Sequence, residues 1–288
     1  VLELMKHRGP DSTCILEMDK IKCGFNRLAI VNDDLDSNQP MLDNTGRYIM
    51  LFNGELYNYR DLRQRLKQKH RIEFKTTSDT EVILYSLIYE GFEIINTYEG
   101  IFSIVFYDKK LDVVTLIRDQ VGVKPIYYSI FENKLYISSE VKPIAKVIKP
   151  SIDVNAVSQY LSYGVSDGKS CVVKGVCKVI PGEIVRIQRD LEVKTSKYDN
   201  TTYKVKTDIE VEDVNRLVED AVRSQIPMID YGIMFSGGVD SSLLLALAYN
   251  IRIFNGVYCV NVNHPDMSEK AYQNLAINKY GINNISFS

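Results

Sequence analysis

The run Ser236-Gly237-Gly238-Val239-Asp240-Ser241-Ser242 places two glycines, three serines and one carboxylate within seven positions. The apolar stretch Tyr231 to Phe235 precedes it, and the apolar helical stretch Leu243 to Ala248 follows. A strand, a tight glycine turn and a helix start leave the first helical N–H groups without partners, and the helix dipole draws an anion towards them. Gly237 and Gly238 let phosphate oxygens approach the backbone without a Cβ in the way, and the serine hydroxyls add donors. No lysine follows the glycines, so this is not the Gly-x-x-x-x-Gly-Lys loop of kinases and GTPases.

Four further clusters lie before residue 120: His7-Arg8-Gly9-Pro10-Asp11, Asn26-Arg27-Leu28-Ala29-Ile30-Val31, Asn53-Gly54-Glu55-Leu56-Tyr57-Asn58 and Thr77-Ser78-Asp79-Thr80-Glu81. Each alone has a structural explanation. Gly-Pro-Asp is a common turn, Asn-Gly after an apolar strand is a hairpin signal, and Leu28, Ile30 and Val31 suit a core.

These residues need rigid elements to hold them. Up to about residue 195 the chain reads mainly as strands: Tyr48 to Phe52, Ile101 to Tyr107, Val113 to Ile117, Ile126 to Ile130, Leu135 to Ser138 and Glu183 to Gln188. Helical patterns over Arg60 to Lys69 and Thr80 to Glu90 interrupt them, the second stopped by Gly91. Strands with helices packed outside predict a layered α+β domain over residues 1–195. Lys194 to Asp208 is polar and without period, which predicts a linker. From 209 to 288 the order is a helix over Val211 to Gln225, a strand, the glycine loop, a helix, a strand over Gly256 to Val262 and a helix from about Ser268 to Tyr280. That order predicts a parallel sheet with crossover helices, of which two strands are evident.

With 288 residues, 45% hydrophobic and 25% charged, the chain has the composition of an ordinary globular protein. A net charge of −2 without a basic block argues against nucleic acid as a partner. No apolar run approaches membrane-spanning length, so no membrane role is expected. Five cysteines without paired short spacings argue against a zinc site and suit a reducing cytoplasm.

Together and in this order, the four clusters resemble the class II glutamine amidotransferase domain. Arg118-Asp119-Gln120-Val121-Gly122-Val123-Lys124-Pro125-Ile126-Tyr127-Tyr128 and Ser138-Ser139-Glu140-Val141-Lys142 extend the likeness. The glycine loop resembles the PP-loop of enzymes that split ATP between its α and β phosphates. This pairing is similar to the glutamine-hydrolysing asparagine synthetase family, over almost the whole chain. The resemblance implies a four-layer αββα glutaminase domain of the N-terminal-nucleophile type, followed by the start of an α/β PP-loop ATP pyrophosphatase domain.

It also implies roles for particular residues. Arg27 would hold the α-carboxylate of glutamine and Asp79 its α-ammonium. Asn53 and Gly54 would form the oxyanion hole, with Leu28, Ala29, Ile30, Val31 and Glu55 completing the pocket. Ser236, Gly237, Gly238, Ser241 and Ser242 would hold the phosphates of ATP, and Asp240 would take Mg²⁺ on the pyrophosphate. Met234 and Val260 would pack on adenosine, although both equally suit a strand core. Substrates would be glutamine, aspartate and ATP. A homodimer is compatible with the family, but no residue pattern selects an oligomeric state.

One departure stands out. The family's nucleophile is a cysteine at the mature N-terminus, whose α-amino group is the base. The chain starts at Val1, and Cys14 and Cys23 lie beyond the His7 to Asp11 cluster, so neither takes that place. A fragment inactive in amide synthesis is the expectation, with the acceptor-binding residues beyond Ser288. Three alternatives stay open: a synthetase acting on another carboxylate, a non-catalytic glutaminase-like module, and a PP-loop ATPase of another class. The last would leave Arg27 and Asn53 to Glu55 unexplained.

Overall fold

A computed structural model describes residues 2–18, 20–28, 38–166, 168–198, 208–227, 229–259 and 268–287. The chain divides into two units, Val1–Thr202 and Tyr203–Ser288.

Unit 1 opens with a 3-10 turn, Leu2–Arg8, and an antiparallel hairpin of β1 (Ser12–Met18) and β2 (Ile21–Arg27). Next come β3 (Met41–Leu42), β4 (Tyr48–Leu56), α1 (Tyr59–His70), α2 (Asp79–Glu90), β5 (Gly100–Asp108) and β6 (Val113–Arg118). They are followed by β7 (Tyr127–Phe131), β8 (Lys134–Ser138), α3 (Val141–Ile148), α4 (Val154–Tyr163), β9 (Cys177–Lys178), β10 (Glu183–Ile187) and β11 (Val193–Lys197). A six-stranded antiparallel sheet runs β11-β10-β6-β5-β4-β3, and a three-stranded sheet runs β8-β7-β9.

Side-chain alternation along the strands builds the layers. Met50, Phe52 and Leu56 of β4, with Phe102, Ile104 and Phe106 of β5, pack under Leu62 and Leu66 of α1 and Val82 and Ile83 of α2. The opposite face of the large sheet gives Leu116, Val185 and Ile187 to a second core with Ile126, Tyr128 and Val179. The far side of the small sheet receives Ile144 and Ile148 of α3 against Tyr127, Phe131 and Tyr136. Helices, large sheet, small sheet and helix make the four αββα layers.

Unit 2 contains α5 (Val211–Gln225), β12 (Gly232–Phe235), α6 (Val239–Ile251), β13 (Gly256–Cys259), α7 (Lys270–Tyr280) and β14 (Ile285–Phe287). Its three strands are parallel in the order β12-β13-β14. Phe235, Leu245, Val257, Cys259 and Ile277 form its core.

Three expectations need correction. Residues 194–197 are not linker but the greater part of β11, an edge strand whose polar side chains face water. The parallel sheet has a third strand, β14, too short to stand out as a pattern. The hairpin β1–β2, β3, β9, α3 and α4 were absent from the sequence reading. The part of the expected Gly256–Val262 strand beyond Cys259 lies outside the described residues.

Candidate active site

Strand β4 has two unlike faces. Its even positions fill the core, while Leu51, Asn53 and Glu55 turn to the other side and line a cleft of about 1090 Å³. Ser103 and Val105 of β5 continue that wall, because Asn53 pairs with Ser103 in the ladder. Arg27, Leu28, Gly54 and Asp79 line the same cleft. The structure therefore brings Arg27, Leu28, Asn53, Gly54, Glu55 and Asp79 together, while Ala29, Ile30 and Val31 lie outside the described residues.

Gly54 is required by the sheet. A Cβ there would sit 2.0 Å from the Ile101 carbonyl oxygen and 2.7 Å from Phe102 Cα, so strand β5 leaves it no room. Gly9 behaves alike, since a Cβ would come within 2.3 Å of the Asn26 carbonyl oxygen. Asn26 Nδ2 donates to the Leu2 carbonyl at 2.9 Å and so anchors the 3-10 turn. Arg27, at the end of β2, donates from Nη1 to Asn38 Oδ1 at 2.9 Å. Asn53 Nδ2 is buried and has no hydrogen-bond acceptor.

The Thr77 to Glu81 cluster separates scaffold from site. Ser78 caps α2 by accepting the Glu81 N–H at 3.3 Å. Glu81 accepts the N–H groups of Lys75 at 2.8 Å and Thr76 at 2.7 Å. Arg63 of α1 donates to the Thr76 and Ser78 carbonyls at 2.7 and 3.1 Å. Asp79 is left facing the cleft, where its Oδ2 accepts the Leu56 N–H at 3.1 Å. Burial dominates its ionisation and, with Glu55 adding repulsion, pushes its pKa up to about 6 against the pull of the Leu56 and Thr80 amides. Burial also raises the pKa of Glu55, while the ammonium of Lys124 opposes that rise.

Sequence reasoning missed three cleft residues. Gln39 is buried and pairs with β4, donating from Nε2 to the Phe52 carbonyl at 3.0 Å and accepting the Phe52 N–H at 2.6 Å. Ser103 and Lys124 also line the cleft. Ladder pairing with Asn53 selects Ser103, Lys124 stands in the Arg118–Tyr128 run without a site role of its own, and no spacing in the chain announces Gln39.

In unit 2 the glycine loop joins β12 to α6. Gly237 has φ +98°, which favours glycine, and a Cβ there would meet Gln273 Cγ and the Glu269 carbonyl oxygen at 3.0 Å. Ser241 Oγ accepts the Gly237 N–H at 3.2 Å and lies 3.0 Å from Ser236 Oγ, which accepts the Gly238 N–H at 3.2 Å. Gln273 of α7 donates to the Ser236 carbonyl at 2.7 Å, a support that no loop motif reveals. Gly238 is the N-cap of α6 and offers no side chain to the first-turn amides, which suits an external anion. Asp240 is exposed in that first turn. Met234 is 75% exposed, which removes the core explanation for it, and Val260 lies outside the described residues.

Unit 1 thus has a four-layer fold with an amide donor and carboxylates in one cleft, and unit 2 has a strand–loop–helix anion cradle. The glutamine amidotransferase domain family matches residues 1–199, and the asparagine synthase family matches residues 213–288. The chain is 31% identical over 292 residues to asparagine synthetase [glutamine-hydrolyzing] 1 of Bacillus subtilis (strain 168), covering 99% of this chain and 45% of that protein. It is 30% identical over 247 residues to asparagine synthetase B [glutamine-hydrolyzing] of Escherichia coli (strain K12), covering 85% of this chain and 40% of that protein. A solved structure of glutamine phosphoribosylpyrophosphate amidotransferase from B. subtilis, complexed with ADP and GMP, matches with a TM-score of 0.47 at 14% identity, covering 92% of this chain and 75% of that one. The chain belongs to the glutamine amidotransferase family, with the asparagine synthase match following it as in the glutamine-hydrolysing asparagine synthetases to which it is similar. It spans less than half the length of those two relatives.

Proposed function

We propose that the protein makes asparagine with glutamine as nitrogen donor. In unit 1, Arg27 and Asp79 would clasp the α-carboxylate and α-ammonium of glutamine. A thiolate attacking the side-chain amide creates an oxyanion, which the Asn53 amide and the Gly54 N–H would receive; water then completes hydrolysis to glutamate and ammonia. In unit 2, the loop from Ser236 to Ser242 would hold ATP phosphates, with Asp240 taking the Mg²⁺ of MgATP and Met234 contacting adenosine. Aspartate's β-carboxylate attacks the α phosphate and expels pyrophosphate. Ammonia then displaces AMP and leaves the amide. Adenylation is needed because a free carboxylate is a poor acyl donor.

The observation that carries this reading is the buried, unpartnered Asn53 Nδ2 in the same cleft as the desolvated carboxylate of Asp79. Such donors are costly to bury and suit a ligand that supplies the missing partner. Five unpaired cysteines support a cytoplasmic setting.

The test is pyrophosphate release from MgATP, with and without aspartate, using glutamine or ammonium as donor. Release that needs aspartate and runs on glutamine is expected. Release on ammonium alone would remove the glutaminase role, and indifference to aspartate would move the acceptor to another carboxylate.

A further inference from the structure

The cleft contains a cation that neither the oxyanion hole nor the clasp on the amino-acid head group employs. Lys124 follows the turn at Asp119–Val123, and both ends of its peptide unit are fixed. Asp119 Oδ2 accepts its N–H at 2.9 Å, and Arg118 Nε donates to its carbonyl at 3.0 Å. Arg118 also donates to the carbonyls of Val179 and Gly122, while buried Asp119 accepts the N–H groups of Val123 at 2.8 Å and Phe102 at 3.2 Å. The backbone of this loop is tied to β5 through Phe102, so half-buried Lys124 is held at the wall of the cleft that Asn53, Glu55 and Asp79 also line.

Glu55 lines the same cleft and is the carboxylate whose ionisation the ammonium of Lys124 favours. Tyr57 lies two residues on from it, Asp79 comes from α2, and Asp119 lies close enough to act on Tyr57. Arg27 from β2 lines the same cleft but donates to Asn38. Two carboxylates in one cleft, both partly stripped of water, raise each other's tendency to take up a proton, which a cation in the same cleft opposes. A proton shared between them would weaken the attraction for a substrate ammonium.

We propose that Lys124 is a positioning residue for the amide site, keeping Glu55 a carboxylate beside Asp79 so that the cleft stays anionic towards the ammonium end of its substrate. The inference deepens the glutamine reading and takes its ligand from it. Nothing covalent is asked of Lys124: it acts through Glu55.

The test pairs Lys124→Met, which keeps the aliphatic stem, with Lys124→Arg, which keeps the charge. Carbon-detected NMR titration of the side-chain carboxyls in ligand-free protein should show Glu55 protonating about one pH unit higher in Lys124→Met and near its original position in Lys124→Arg. Calorimetry with glutamine should show Lys124→Met binding up to about tenfold weaker at pH values below the Glu55 transition and matching the unsubstituted protein above it, as a one-unit shift requires. An unmoved Glu55, or a loss of affinity equal at every pH, would overturn the proposal and leave Lys124 a packing residue. A moved Glu55 in a protein that binds no glutamine would uphold the electrostatic assignment and sink the glutamine reading.

Discussion

The amide of Asn53 and the carboxylate of Asp79 are both held at a cost by the empty protein. Removing the unpartnered amide loses no hydrogen bond, so Asn53→Ala should leave folding stability within about 0.5 kcal/mol. The same change should slow glutamate formation by about 100-fold or more, the usual loss for one oxyanion donor. A denaturant midpoint that falls sharply would instead mark Asn53 as structural. Asp79 gives a pH-dependent version of the same test. Its folded pKa, about 6, lies above the unfolded reference of 3.8, so the folded state binds the extra proton. Its contribution is therefore favourable below the unfolded value and is lost as pH rises through about 6. Asp79→Asn should stabilise the ligand-free protein at pH 7 by about 2–3 kcal/mol and flatten stability between pH 4 and 6. It should also abolish glutamine binding. Urea unfolding at pH 4.5 and 7, beside calorimetry, checks both halves.

At the scale of elements, β4 decides the geometry of unit 1. Because Gly54 lies against the β5 backbone, Gly54→Ala should separate the two central strands, destabilise unit 1 by more than about 3 kcal/mol and remove glutamine binding with it. Retained thermal stability with lost turnover would return the glycine to a purely catalytic role. Gly237→Ala should be milder but not neutral: its φ of +98° is disfavoured once a Cβ is present and the Glu269 carbonyl oxygen would lie 3.0 Å away, so a loss of about 1–2 kcal/mol from unit 2 is expected together with weaker ATP binding. Elements with strong patterns were legible in the chain: β4, β5 and β6 are rich in apolar and β-branched residues, and α2 has a capping serine and a stop glycine. Those missed have physical reasons. β11 reads Val-Lys-Thr-Ser-Lys because an edge strand needs no apolar face, and α3 carries Pro143 in its first turn, where a helix tolerates proline. Motif clusters located Asn53 and Asp79, whereas Gln39, and the place of Lys124 in the cleft, emerged only when distant segments met there.

For the whole molecule, the two units have separate cores of unequal size. Among the described residues, unit 1 has three buried apolar clusters, whereas unit 2 has one, of five side chains, and exposes Met234, Tyr258 and Leu275. Amides of β12 and β13 should therefore exchange with deuterium about 100-fold faster than those of β4 and β5, and mass spectrometry of exchanged peptides measures this directly. Equal protection would show that unit 2 draws stability from more than its own core. The Arg118–Asp119 clamp has a different kind of consequence. Its hydrogen bonds close on Gly122, Val123, Lys124, Val179 and Phe102, and none of them needs a substrate. A descendant could lose Asn53 or Asp79 and keep that loop intact. Arg118 and Asp119 thus certify architecture rather than turnover, and a genome survey seeking working glutaminases should rank candidates by the cleft side chains before that pair.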